Sequence, residues 1–181
     1  MAAISPLAIP GDALVILIGA AGSGKSTFAG RHFAPAAVVA SDDLRRLRRA
    51  ENPAAGNDVF DQLLAAVDRR LQHGKLAVVD ATNTDWMRRS QLIAAARNRG
   101  RSSYAIVFDL PVELSLEQNR RRPAAVPSPM VRRQAAELAR DIDRLDLEGF
   151  AGIVIVRSPA DADRLEVVLA AGTTTESSSA R

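Results

Sequence analysis

The chain has 181 residues, 47% of them hydrophobic and 25% charged, with a formal net charge of +3 and no cysteine. That length suits one domain with one core. The lack of cysteine excludes disulfides, thiolate zinc sites and thiol catalysis. The two histidines, His32 and His73, lie far apart, which argues against a His-rich metal site, and a net charge of +3 does not by itself demand a nucleic-acid partner.

Residues 1–12 carry Pro6, Pro10 and Gly11 and read as a loose lead-in. No basic segment precedes an apolar run, so no secretory signal is expected. The longest apolar stretch, 13–18, is far too short to span a bilayer, and a cytoplasmic protein without a membrane partner is the expectation. Residues 14–18 (LVILI) form a continuous apolar run that stops at Gly19, the pattern of a strand buried on both faces. A helix is expected over 24–31, a short strand over 36–40 and an arginine-rich helix over 43–50. Asn, Pro and Gly mark a loop at 51–56. From 57 the spacing Val59, Leu63, Leu64, Val67, Leu71 is helical, with Gly74 as its stop.

A third strand is expected over 76–79, ending at Asp80. Thr84 or Asp85 caps a helix over 86–99. Strand 104–108 ends at Asp109, and helix 112–121 is broken by Pro123, Pro127 and Pro129. A helix over 131–145, a strand over 153–156 and a helix from Pro159 to about 169 follow. The Thr/Ser-rich segment 171–181 reads as a disordered tail. Strands alternate with helices throughout, which predicts an α/β fold: a parallel sheet of about five strands with helices on both faces, all within one domain over 13–170.

The strongest motif is Gly19-Ala20-Ala21-Gly22-Ser23-Gly24-Lys25-Ser26, a full match to the Walker A pattern, with Thr27 following. Its glycines let the backbone turn so that N–H groups converge on phosphate oxygens. The next helix presents its positive end to the same anion. In this pattern Lys25 reaches the β- and γ-phosphates of ATP or another NTP, and Ser26 ligates the bridging Mg2+. Apart from Lys25 and Lys75 every basic residue is arginine, so the lysine at position 25 stands out.

Ligands of open α/β sheets sit at the carboxyl ends of strands, which makes Asp42, Asp80 and Asp109 candidates. Asp42 is placed to accept a hydroxyl proton, with Arg45 three residues on to hold an acceptor phosphate; a helix cap explains Asp42 equally simply. Asp80 suits the metal side of the site, and capping explains Asp109. Arg120, Arg121 and Arg122 precede the proline-rich 123–129 segment, so a lid over about 118–130 carrying an arginine onto the triphosphate competes with a solvated helix end.

The run LVILIGAAGSGKSTF at 14–28, Ser41-Asp42-x-x-Arg45, GKLAVVDATN at 74–83, Arg89, Ala105-Ile106-Val107-Phe108, Asn119-x-x-Arg122 and Glu148-Gly149-Phe150 together resemble the 5′-polynucleotide kinase family of P-loop phosphotransferases. The likeness spans roughly 13–156 and is nearest the kinase module of bacterial RNA-repair kinase-phosphatase-ligase enzymes. It implies a nucleoside-kinase-like P-loop NTPase fold with an arginine-bearing lid, and acceptors that are 5′-hydroxyl RNA or DNA ends. It further implies Asp42 as general base, Arg45 on an acceptor phosphate, Asp80 and Asn83 on the metal and acceptor side, Arg89 beside the acceptor and Arg122 on the triphosphate. The family's first lid arginine is Gln118 here, and its last falls near Ala125. A small-molecule hydroxyl acceptor, or ATP binding without transfer, are the alternatives.

Overall fold

The computed structural model describes residues 6–51 and 59–170. Of the loop expected at 51–56, Glu51 belongs to a helix and 52–56 lie outside the described residues, as does the tail from 171. The main sheet has five parallel strands in the order β3-β4-β2-β5-β6. These are β2 (Leu14–Gly19), β3 (Val38–Ala40), β4 (Ala77–Asp80), β5 (Ser103–Phe108) and β6 (Gly152–Val156). β2 lies at the centre, with Leu17 opposite both Asp80 and Ile106.

Alternation along β2 assigns its side chains to two cores, as the period of a strand requires. Leu14, Ile16 and Ile18 pack with Leu63, Val67 and Leu71 of α3 (Val59–Gln72), Leu92 and Ala96 of α4 (Trp86–Asn98), and Leu138 of α6 (Ser128–Asp141). Val15 and Leu17 face the other way, onto Phe28 and Ala29 of α1 (Lys25–His32), Phe33, Phe108 and Leu165. Every residue of β2 is buried, which is why its sequence reads as an unbroken apolar run.

Several elements depart from expectation. Leu7–Pro10, in the lead-in, is a strand (β1) paired in parallel with β7 (Val167–Ala170). Leu7 and Ile9 turn inward while Ala8 stays exposed, a period of two hidden by the flanking prolines. The last helix, α7 (Pro159–Arg164), accordingly stops short of the expected 169. Leu165 turns extended and buries its side chain, and the β-branched Val167-Val168 pair continues as strand. α6 begins at Ser128 rather than at 131, because Pro129 sits in its first turn, where the missing N–H costs nothing.

The remaining helices are α2 (Ser41–Glu51) and α5 (Val112–Arg120). α2 starts directly after β3, at Ser41 rather than at 43, so Asp42 and Asp43 both occupy its first turn. Acidic side chains there complement the helix dipole. Among the described residues no helix is long and apolar enough to cross a membrane.

Candidate active site

The loop between β2 and α1 wraps a concave backbone at the carboxyl end of the sheet. Gly24 caps α1 with φ 92°, and Gly22 has φ 84°. A Cβ on Gly22 would sit 2.2 Å from the Ser115 carbonyl oxygen, so only glycine lets α5 approach the loop this closely. Ala20 and Ala21 pack under the loop with Leu116 and Val131. The 20–27 segment is thus packed against α5 and α6 on one side and lines the cavity on the other.

Lys25 lies in the loop's interior. Its ammonium donates to the carbonyl oxygens of Gly19 (2.9 Å) and Ala20 (2.8 Å) and to Ser23 Oγ (3.2 Å). Burial pulls its pKa down to about 8; Asp80 and Asp42 act to raise it and Arg122 to lower it further. Asp80, at the end of β4, has its pKa raised by burial, against the opposing pull of a hydrogen bond from Ser26 and the charge of Lys25.

Ser26 and Asp80 therefore bring a hydroxyl and a carboxylate together beside the lysine. Hard oxygen donors of this kind suit Mg2+, which is usually held by one or two protein oxygens while phosphates and water complete its shell. No group of three or more His, Cys, Asp or Glu residues able to hold a metal occurs among the described residues. Ser26 and Asp80 would hold the ion jointly with a triphosphate.

A cavity of about 800 Å³ opens above the loop. Its walls include Gly22, Gly24, Lys25, Ser26 and Thr27 from the loop, Asp42, Arg45 and Arg46 from α2, Asp80 and Thr82 from β4 and its turn, and Arg122. One Asp42 carboxylate oxygen accepts from Arg45 (2.7 Å) and the other from Arg122 (2.6 Å), eighty positions away. Arg45 also donates to Ser41 Oγ. The structure thus gathers Lys25, Ser26, Asp42, Arg45, Asp80 and Arg122 around one space.

Two residues expected there point elsewhere. Asn83 is buried, and its side-chain amide donates to the Leu17 carbonyl at 2.7 Å, so it fastens β2 to the turn after β4. Its positive φ of 49° is a left-handed conformation that asparagine tolerates in a turn. Arg89 is fully buried and donates to the Asn83 and Thr84 carbonyls and to both carboxylate oxygens of Glu148. Neither lines the cavity. Arg121 pairs with Glu117 on its own helix, which leaves Arg122 as the arginine of that run on the cavity wall.

Residues 124–127, within the expected lid over 118–130, line the cavity, whereas sequence reasoning missed Gln134. Gln134 on α6 accepts the Ala21 N–H at 3.0 Å, tying the phosphate loop to the helix after the proline-rich segment. Asn119 is buried and clamps that segment twice: it donates to the Val126 carbonyl (2.7 Å) and accepts from the Val126 N–H (3.0 Å). Asn119 was visible as part of the Asn-x-x-Arg pattern, but a contact such as Gln134 with Ala21 leaves no local sequence signal.

A five-stranded parallel sheet with its glycine-rich loop after the central strand defines a P-loop kinase fold, a class built to bind nucleotide. The chain belongs to the AAA domain family, whose model matches residues 14–145. No curated protein sequence matches it. Among solved structures it is similar to a gluconokinase from Sinorhizobium meliloti 1021, with 20% identity over 84% of this chain and 90% of that one and a TM-score of 0.53. It is also similar to Chaetomium thermophilum Kti12 in complex with ADP-AlF3, with 19% identity over 84% and 94% of the two chains and a TM-score of 0.56. A chain of the AvrRxo1-ORF1:AvrRxo1-ORF2 structure with sulphate ions matches at 18% identity over 83% of this chain and 55% of that one, with a TM-score of 0.60. At these identities the likeness is one of fold.

Proposed function

We propose that the protein is an ATP-dependent phosphotransferase that moves the γ-phosphate onto the 5′-hydroxyl of a polynucleotide. The observation that carries this reading is that Asp42 and Arg45, near the start of α2, line one cavity with Lys25, Ser26 and Asp80. That pairs a phosphate cradle with a carboxylate and a guanidinium on the acceptor side. Arg46 on the same wall adds a second guanidinium for a phosphate-bearing acceptor.

In this reading the loop amides and Lys25 hold the β- and γ-phosphates. Ser26 and Asp80 would hold Mg2+, which would supply neutralisation of the triphosphate charge. Asp42 takes the proton of the attacking hydroxyl; an oxygen–phosphorus bond forms at the γ-phosphorus, the bond to the bridging oxygen breaks, and ADP leaves. Arg122 moves from Asp42 to the triphosphate as the 118–130 lid closes, freeing the carboxylate. A small hydroxyl acceptor is the second reading, since a gluconokinase shares the fold.

The test incubates the protein with γ-labelled ATP and Mg2+, together with a 5′-hydroxyl oligonucleotide or with a pool of sugars, sugar acids and nucleosides. Label on the oligonucleotide is expected. Label confined to a small molecule replaces the first reading with the second, and ATP binding without any transfer removes both.

The pKa of Lys25 gives a further prediction. In the free protein the ammonium is lost as pH rises through about 8. Its pKa is depressed, so between about 8 and 10.5 the unfolded chain holds a proton that the folded one lacks, and this group's contribution to stability rises with pH there. Nucleotide needs the charged form. Binding therefore takes up a proton above pH 8, and affinity falls by up to about tenfold per pH unit. Calorimetric titrations of ATP from pH 7 to 9.5 check this; a flat Kd across that range contradicts it.

A further inference from the structure

Trp86 is the chain's one tryptophan, and it is 56% exposed. α4 buries Arg89, Leu92, Ile93 and Ala96, so the core makes no use of Trp86 or of Met87 beside it, 55% exposed. A ring left in water forgoes the burial that makes an aromatic stabilising. Fold stability gives no account of it.

Its position gives one. Thr82 lines the cavity, and its carbonyl accepts the Gly19 N–H at 2.9 Å, which stitches the end of β4 to the phosphate loop. Trp86 follows four residues later. The path between them is rigid: Asn83 is bonded to Leu17, Thr84 Oγ1 donates to Glu137 at 2.9 Å, and Asp85 caps α4 by accepting the Met87 N–H. Four residues of extended chain reach at most ~14 Å. The first few nucleotides of a strand cover that distance, at ~3.4 Å per stacked base. Arg45 and Arg46 line the same cavity as Thr82, and Arg88 stands on α4 with its guanidinium 5.2 Å from the Phe60 ring centre. Exposed aromatic faces among arginines are how proteins hold single strands without reading their sequence.

We propose that Trp86 is a stacking platform for a nucleobase of the acceptor strand, within the first few nucleotides of the 5′ end. The proposal rests on the polynucleotide reading and deepens it. It assigns the acceptor a single-stranded end, and it predicts tolerance for any base there, because every base has a π-face.

The lone tryptophan is its own reporter. Its fluorescence is followed while a 5′-hydroxyl oligonucleotide is added to the whole protein, and again with a strand of equal length that is abasic at its first four positions. Quenching by the intact strand and little by the abasic one is expected. In steady-state assays Trp86→Ala raises KM for the intact strand about tenfold with a much smaller change in kcat. The same substitution adds little to the KM of the abasic strand, and Trp86→Phe recovers most of the loss. Unchanged KM in Trp86→Ala, or equal rises on intact and abasic strands, overturns the platform while leaving the kinase reading in place. No transfer to any strand by the unaltered protein overturns both.

Discussion

Asp42→Asn is expected to lower kcat for transfer by about 10²–10⁴-fold, the range for loss of a general base, while the Kd for ATP changes little. The substitution keeps the shape of the side chain and removes its ability to take a proton. Asp42 makes two ion pairs, with Arg45 and Arg122, but its side chain is 61% exposed. Exposed pairs of this kind contribute at most about 1 kcal/mol, so the melting temperature should move by only a few degrees. Nucleotide affinity has a reason to hold or improve, because the change leaves two guanidiniums in the cavity without their carboxylate. Single-turnover transfer and equilibrium ATP binding, measured on the same preparation, separate the roles. Parallel loss of binding, transfer and thermal stability would show that Asp42 serves the helix rather than the reaction.

Asp42 also shows what a sequence discloses. The phosphate loop was legible because its chemistry dictates residue identity at each step: Gly22 has no room for a side chain against α5, and Gly24 holds a left-handed φ. The parallel sheet was legible because burial on both faces forces continuous apolar runs such as that of β2. Asp42, Arg45 and Asp80 follow from strand ends, where the topology opens the ligand crevice.

What was not legible turns on single dihedrals and on distant partners. Asn83 was expected at the site only through the family resemblance; its φ of 49° and the bond from its amide to the Leu17 carbonyl belong to the turn instead. β1 and β7 need each other, and neither four-residue segment reads as a strand while its partner lies some 160 positions away. Gln134 reaches Ala21 across 113 positions, a pairing that composition and periodicity do not register.

Arg89→Met tests the other misplaced residue, and the expected result is a loss of stability of about 3–5 kcal/mol, as for breaking a buried ion pair from one side. Arg89 is fully buried and is the only cation paired with Glu148 among the described residues; its terminal nitrogen also lies 3.8 Å from Asp141. Methionine fills much of the volume but strands the mostly buried Glu148 carboxylate and removes the donor to the Asn83 and Thr84 carbonyls. For a domain of this size that is a fall in melting temperature of about 10 °C or more, read by calorimetry. Glu148→Gln should cost less, since its amide oxygen still accepts one guanidinium N–H. Below the new transition, KM for the acceptor should stay near that of the unaltered protein, because Arg89 does not reach the cavity. A raised acceptor KM with an unmoved melting temperature would return Arg89 to the acceptor side. The arrangement explains why the fold retains a buried charge network at this point. Arg89 ties the turn after β4 to the segment leading into β6, and that turn carries Thr82, whose carbonyl holds Gly19 at the mouth of the phosphate loop. A methionine in its place would pack, but it could not hold that turn by its carbonyls.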